Sequence, residues 1–454
     1  MTPMNLIRKY NVPGPRYTSY PTVPHWDAQA PTQEAWKETM LETFTLFNES
    51  EGLSIYVHLP YCESLCTYCG CNTRITVNHK VELPYIQAVL KEWSMVVESL
   101  GAKPNIKEIH LGGGTPTFFS PENLKLLIDG ILDLACPMET VEFGFEGHPN
   151  NTTYEHLKTF YDLGFRRLSL GIQDFDPVVQ DVINRIQPVE NVERVTQQAR
   201  ELGYTSINYD LIYGLPMQTM TSIEQTINHV IRLKPDRIAF YSYAHVPWIK
   251  PGQRKFTELD LPDDETKRAL YEGGRLMLET AGYLEVGMDH FALEEDELYQ
   301  AFKENRMHRN FMGYTTCSTH LVVGLGVSAI SDSWLAFAQN EKRVEEYLAR
   351  IEKGELPIFK GHILTEEDLI IRHHILNLMC TFKTEWKNEE DKCEALYEGL
   401  GRLDGLIEDG LVEMDHETLR VTNAGKAFVR NVCMAFDAKL WHSKAGTQLF
   451  SKVI

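Results

Sequence analysis

Four of the nine cysteines fall within ten residues, in "CESLCTYCGC" from Cys62 to Cys71. Cys62, Cys66 and Cys69 are spaced C-x3-C-x2-C, and Cys71 follows two residues on. Thiols packed this densely could form disulfides, bind zinc or carry an iron–sulfur cluster. A structural zinc site ordinarily adds a distant second pair, but the next cysteine, Cys136, stands alone. Three thiolates on one tight loop suit a [4Fe–4S] cluster with one iron left open, and an open iron serves chemistry, not structure. The other five, Cys136, Cys317, Cys380, Cys393 and Cys433, show no pairing spacing and read as small buried hydrophobes.

Further along lie "GGGTPT" (112–117), "EGHP" (146–149), "QDF" (173–175), "YGLP" (213–216) and "YAH" (243–245). Bare glycine backbone admits a ligand closely and offers amides to a carboxylate. Each of these stretches ends a run rich in β-branched and aromatic residues: 53–60, 107–114, 141–149, 166–173, 206–216 and 237–245. Amphipathic segments such as "YIQAVLKEWSMVVESL" and "TSIEQTINHVIRLK" lie between them. Six strand–helix alternations predict an α/β fold, a partial (β/α)6 barrel with parallel strands. Reactive residues then gather at the carboxyl ends of the strands. A doubly wound sheet would open with G-x-G-x-x-G, which is absent.

Residues 1–52 read as an amino-terminal extension with one helix at "QEAWKETMLETFTLF". Residues 53–363 read as the barrel with a substrate-site insertion, and 364–454 as a small helical, winged-helix-like domain with a hairpin turning at "DHET". The net charge of −20 argues against nucleic acid as a partner. The amino-terminal residues lack the apolar core of a signal peptide, and no run is long enough to span a membrane. The expectation is a cytoplasmic protein, where disulfides are rare.

The cysteine spacing at the end of the first strand resembles the hallmark of the radical S-adenosylmethionine superfamily. Within it, "GPRYTSYPT", "CGCNT", "GIQDF", "YDLIYGLP", "GMDHFA", "HRNFMGYTT", "GLGVSAIS" and the terminal "FSKVI" are similar to the oxygen-independent coproporphyrinogen III oxidases over nearly the whole chain. The resemblance implies a [4Fe–4S] cluster on Cys62, Cys66 and Cys69, and two molecules of S-adenosylmethionine. The first would meet Tyr56, Gly113, Glu146 and Ile330. The second would meet Tyr68, Gly114, Thr115, Gln173, Arg185, Asp210 and Ala244.

It further implies a coproporphyrinogen III substrate, haem (porphyrin) biosynthesis, a flavodoxin- or ferredoxin-like electron donor, an unidentified electron acceptor and a monomer. The bland alternative for each carboxylate is a structural or solvated charge. Arg16, His290, His308 and Arg309 are candidates for the substrate carboxylates, with a surface pair as the alternative for the last two. The chain departs from the family pattern at His148, where an acid is expected, and at Met312, where a glutamine is. Two other readings stay open: a haem-binding chaperone sharing barrel and cluster, and a radical enzyme acting on another porphyrin. The fourth cysteine and "RYTSYPT" favour the oxidase over the chaperone.

Overall fold

The computed structural model describes residues 3–442 and 450–453. Its centre is a twelve-stranded sheet. The strands are β1 (Leu53–Leu59), β2 (Asn105–Gly113), β3 (Cys136–Gly147), β4 (Arg167–Gln173), β5 (Ser206–Tyr213), β6 (Arg237–Ser242), β7 (Leu284–Val286), β8 (His290–Ala292), β9 (Val322–Leu325), β10 (Ile330–Asp332), β11 (Ala336–Asn340) and β12 (Ile358–Ile363). The spatial order is β12-β11-β10-β9-β1-β2-β3-β4-β5-β6-β8-β7. Strands β1 to β6 run parallel, as the alternation predicts.

A seventh parallel strand, β9, pairs with β1 in the register Tyr56↔Gly324. Its four residues are too short to carry a periodic signal in the sequence. The other strands added to the two edges are antiparallel.

The outer face of the sheet is buried by helices whose apolar residues recur at helical spacing. On Glu82–Leu100 these are Tyr85, Ile86, Val89, Trp93, Val96 and Leu100, and the helix stops where Gly101 takes φ 71°. Ser120 caps the next helix by accepting from Asn123 N at 3.3 Å. Each fully buried large side chain contributes about 1.5–3 kcal/mol. With both ends of the crossover fixed this way, the strand ends and their loops are held in place.

The amino-terminal residues divide between two cores. Trp36, Met40 and Phe44 of Gln33–Phe47 join the barrel core. Ile7, Tyr17 and Tyr20 join a second core built from the carboxyl-terminal segment, including Ile371, Leu378, Leu396 and Val432. Arg430 holds the ends together by donating to the carbonyls of Gly14, Pro15 and Val453 at 2.6, 2.7 and 3.0 Å. Of the terminal "FSKVI", Ile454 lies outside the described residues. The carboxyl-terminal hairpin forms as expected, Val412–Met414 with Thr418–Val421, and a third strand, Lys383–Glu385, pairs with it. Among the described residues no helix is long and apolar enough to cross a membrane.

Of the five scattered cysteines, Cys317, Cys380 and Cys433 are buried, Cys393 is partly so and Cys136 is exposed. The buried reading fails for Cys136 because β3 begins with a largely exposed stretch.

Candidate functional site

The inner face of the parallel strands is polar by alternation. Along β2, Glu108, His110 and Gly112 share one face, and Glu146, Ser169, Asp210 and Tyr241 come from the strands beyond. At the carboxyl ends Glu146, Asp210 and Tyr241 meet the cysteine loop around a cavity of about 470 Å³, within the size range of small-molecule sites.

Backbone bonds fix the loop. Tyr61–Cys62 pairs parallel with Arg74–Ile75, and Thr76 N donates to the Cys62 carbonyl at 2.9 Å. Thr67 N donates to Ile183 O at 2.9 Å. Asn184 Nδ2 reaches Leu65 O at 2.7 Å, Gln253 Nε2 reaches Tyr68 O at 3.0 Å, and Lys250 Nζ reaches Cys71 O at 3.1 Å.

Cys62, Cys66 and Cys69 all line the cavity, and Cys71 stands beside them. Cys62 Sγ lies 3.3 Å from Thr115 Oγ1, Arg185 Nη1 3.5 Å from Cys66 Sγ, and Cys71 N donates to Cys69 Sγ at 3.4 Å. A single tetrahedral zinc at Zn–S about 2.3 Å would draw its thiolates to roughly 3.8 Å from one another. Among the described residues the one His/Cys/Asp/Glu trio drawn together within 4.8 Å is Glu108, Glu142 and Cys317, not these three thiols. Three thiols lining one cavity are a donor set that suits an iron–sulfur cluster.

The glycine run wraps the cavity. Gly113 N donates to Glu146 Oε2 at 3.2 Å, Gly114 N to Leu59 O at 2.8 Å and Thr115 N to Tyr61 O at 3.0 Å. Gly113 has φ 110°, and a Cβ there would sit 2.6 Å from the His58 ring, so only glycine fits. Glu146 lies 3.6 Å from His110 Nε2. Burial works to raise its pKa, but His110 and the Gly113 amide outweigh burial and hold the carboxyl below its usual range. Asp210 accepts from Asn208 Nδ2 at 2.8 Å and Ser169 Oγ at 3.1 Å. Burial first, then the Glu146 charge, push it up to about 6.

Arg185 donates Nη2 to Gly171 O at 2.6 Å, while its buried Nε has no partner among the described residues. No carboxylate of the described residues pairs with it. Its neighbour His148, standing where an acid was expected, is held neutral, its pKa driven down to about 2 by burial and by Arg185. Gln173 completes the wall at φ 67°, in the left-handed region that side-chain-bearing residues adopt infrequently.

The structure thus brings Tyr68, Gly113, Gly114, Thr115, Glu146, Gln173, Arg185 and Asp210 to one cavity with the three thiols. Three expected residues stand behind its wall. Tyr56 stacks on His110 with ring centroids 6.2 Å apart, and a Cβ on Gly112 would meet both its ring and Glu146. The Ile330 backbone packs against Gly324, the register partner of Tyr56. Ala244 joins through Gln253 Nε2, which donates to its carbonyl at 3.2 Å and to that of Tyr68.

A smaller cavity of about 100 Å³ continues into the barrel between His110, Glu146, Asp210, Tyr241, His290 and Met312. Sequence reasoning missed His110 and Tyr241, although their alternation with buried neighbours on β2 and β6 marks them as inward-facing.

The four substrate-carboxylate candidates do not converge. His290 lines the barrel cavity, whereas Arg16 lines a separate cleft with Arg268, Arg275 and Arg430. Arg309 is 5% exposed, so the surface-pair alternative fails for it. It lies over the Tyr314 ring at 4.4 Å and donates to the Tyr17 and Arg16 carbonyls, anchoring the amino-terminal segment. His308 is partly buried and its pKa is driven down to about 4 by burial.

Residues 56–230 match the radical SAM superfamily. The chain is 37% identical to the oxygen-independent coproporphyrinogen III oxidase of Helicobacter pylori J99, over 98% of both chains. It is also 37% identical to the oxygen-independent coproporphyrinogen III oxidase of Escherichia coli K12, over 99% of this chain and 98% of that one. The solved structure of coproporphyrinogen III oxidase (HemN) from Escherichia coli, a radical SAM enzyme, superposes with a TM-score of 0.88 at 35% identity, covering 96% of this chain and 98% of that one.

Proposed function

Because this chain belongs to the oxygen-independent coproporphyrinogen III oxidase family of radical SAM enzymes, we propose that it converts two propionates of coproporphyrinogen III to vinyl groups in haem biosynthesis, giving protoporphyrinogen IX. Each conversion takes one hydrogen atom from the β-carbon, releases CO2 and passes one electron to an acceptor. The β C–H bond is not acidic, so no general base could start the reaction, and the hard step belongs to a cofactor. A [4Fe–4S] group with S-adenosylmethionine, when bound, supplies a hydrogen-abstracting 5′-deoxyadenosyl radical. The single observation that carries this reading is the meeting of three thiols, a glycine cradle and unpaired charge in one cavity of a full-length relative.

Cys62, Cys66 and Cys69 would hold the cluster. Gly113, Glu146, Tyr56 and Ile330 form the side of the site suited to the first cosubstrate. There Glu146 is ionised and accepts from an ammonium or a ribose hydroxyl. Tyr68, Gly114, Thr115, Gln173, Arg185, Asp210 and Ala244 suit a second S-adenosylmethionine. Arg185 lines the cavity and offers its guanidinium to that molecule's carboxylate, and Asp210 accepts from its hydroxyls. The glycine run and the strand ends keep water from the reacting carbon. The protein works as a cytoplasmic monomer fed by a flavodoxin- or ferredoxin-like donor.

The test is anaerobic turnover of the reconstituted protein with coproporphyrinogen III and S-adenosylmethionine. CO2 and protoporphyrin are the expected products. Release of 5′-deoxyadenosine without CO2 would leave a radical enzyme acting on another porphyrin.

A further inference from the structure

Beside the cysteine loop the protein presents positive charge that its own acids leave unmatched. Lys250 and Lys360 donate only to carbonyls, of Cys71 at 3.1 Å and Val23 at 2.8 Å. Lys342 lies 5.7 Å from the Phe359 ring centroid. No carboxylate of the described residues pairs with any of the three. The neighbouring arginines differ: Arg74 is paired with Glu345 at 2.9 Å and Arg343 with Glu346 at 3.1 Å. Like charge links the lysines instead. Burial first and then Lys250 lower the Lys342 pKa, and burial first and then Lys342 lower that of Lys360. In a chain of net charge −20, three adjacent uncompensated lysines are a local reversal of sign.

The same face is apolar. Trp248 is 47% exposed, Ile249 55% and Phe359 41%. The Trp248–Ile249 turn is closed by hydrogen bonds: Ile249 N and Lys250 N both donate to Val246 O at 2.9 Å, and Val246 N donates to Gln253 Oε1 at 2.6 Å. Exposed apolar side chains beside one sign of charge are the makings of a transient docking face, with the charge setting encounter rate and orientation.

Its position fixes what the face would serve. Lys250 touches the Cys71 carbonyl, and Asn72 Nδ2 donates to the Lys342 carbonyl at 2.9 Å. A partner seated here is therefore separated from Cys69 by little more than the Gly70–Asn72 backbone. We propose that Lys250, Lys342 and Lys360, with Trp248, Ile249 and Phe359, form the docking surface for a small acidic one-electron carrier protein. The carrier is oxidised by one electron and the iron–sulfur group is reduced by one, with no bond made or broken. This inference rests on the radical SAM reading above.

The experiment titrates the reconstituted protein with oxidised flavodoxin, an acidic carrier, by calorimetry at low and at physiological ionic strength. Affinity should fall with salt, because the attraction is between surface charges. Lys342→Glu and Trp248→Ser should each weaken binding about tenfold, and Lys342→Arg should restore it. Lys250 is left intact because it braces the cysteine loop. Reduction of the cluster by reduced flavodoxin should slow in parallel, while photoreduction by a deazaflavin proceeds at the wild-type rate in every variant.

Unchanged flavodoxin affinity in both variants, or equal affinity for a basic carrier such as a cytochrome c, would overturn the docking surface. So would a defect confined to the porphyrinogen KM, which would make this face a substrate approach. Failure of the functional reading looks different: deazaflavin-driven wild type would then make no protoporphyrin, whatever its affinity for flavodoxin.

Discussion

The two ends of one barrel use the same kinds of residue to opposite effect. At the amino-terminal end of the strands the buried arginines meet carboxylates. Arg237 Nε meets Asp296 at 2.5 Å with both side chains almost fully buried, and Ser206 Oγ donates to the same carboxylate at 2.9 Å. Arg167 pairs with Glu142, and Glu108 accepts from Ser54 Oγ at 2.8 Å. At the carboxyl end Arg185 has an idle Nε, and no carboxylate among the described residues answers it. A closed ion network leaves nothing for a ligand, whereas an open one holds its polarity in reserve. The difference separates charges that stabilise the barrel from charges available to a substrate or cofactor.

The sharpest break in this comparison lies in the cysteine loop. Single replacement of Cys62, Cys66 or Cys69 by Ala should abolish the brown iron–sulfur chromophore after reconstitution, and Cys71→Ala should keep it. Equal loss in Cys71→Ala would mean four thiolates and no open iron. Absorption near the thiolate-to-iron bands and iron content decide the matter.

Next come paired substitutions at the two ends. Asp296→Ala leaves Arg237 buried and uncompensated, at a cost of about 3–5 kcal/mol, so thermal or urea unfolding should register a large loss. Asp210→Ala removes a carboxylate that burial already disfavours. Its melting temperature should hold or rise, its iron–sulfur spectrum should persist, and decarboxylation should be lost. If Asp210→Ala destabilises as much as Asp296→Ala, the two ends do not differ in the way described.

A subtler measurement uses pH. The Asp210 pKa is raised from 3.8 to about 6 by burial first and then by Glu146. A carboxyl whose folded pKa exceeds its unfolded value favours the folded state below the unfolded pKa, and that advantage is lost as pH rises through the folded pKa. Wild type should therefore lose stability relative to Asp210→Asn as pH rises from about 4 to above 6, with a flat difference beyond. A difference in melting temperature that does not change across that window would place the Asp210 pKa at the ordinary value.

The sequence was legible where a residue type has few uses or a pattern has a period. The cysteine spacing, the six parallel strands and the Gly113 turn all follow from such signals. Tyr56, Ile330 and Ala244 illustrate the limit. Each is implied by the resemblance, and each stands one neighbour away from the cavity: behind a stacked His110, a register partner Gly324 and a bridging Gln253. No spacing rule encodes an indirect contact of that kind. The surface alternative for Arg309 fails for a related reason. Burial of a guanidinium depends on carbonyls nearly three hundred residues away, at Arg16 and Tyr17, which only the folded chain brings near. The unanswered lysines beside the cysteine loop were equally invisible, since an unpaired charge is defined by what fails to surround it.

The smallest effect is expected at Met312, which lines the inner cavity beside Tyr241 and His290. Its own backbone amide is occupied, donating to Asn310 Oδ1 at 2.9 Å, and its side chain offers a ligand a thioether. A thioether is a weak acceptor and no donor, whereas an amide side chain at the same point both donates and accepts. A hydrogen bond to a charged group is worth about 1.5–3 kcal/mol, or roughly tenfold or more in affinity. Met312→Gln should therefore leave turnover intact and tighten coproporphyrinogen III or the proposed second S-adenosylmethionine by about that factor, measured by anaerobic titration of each ligand. The open end of the barrel would then be shown to have polar capacity still unused. Loss of turnover with the cluster intact would instead mean that the cavity is shaped around the thioether and selects a different porphyrin.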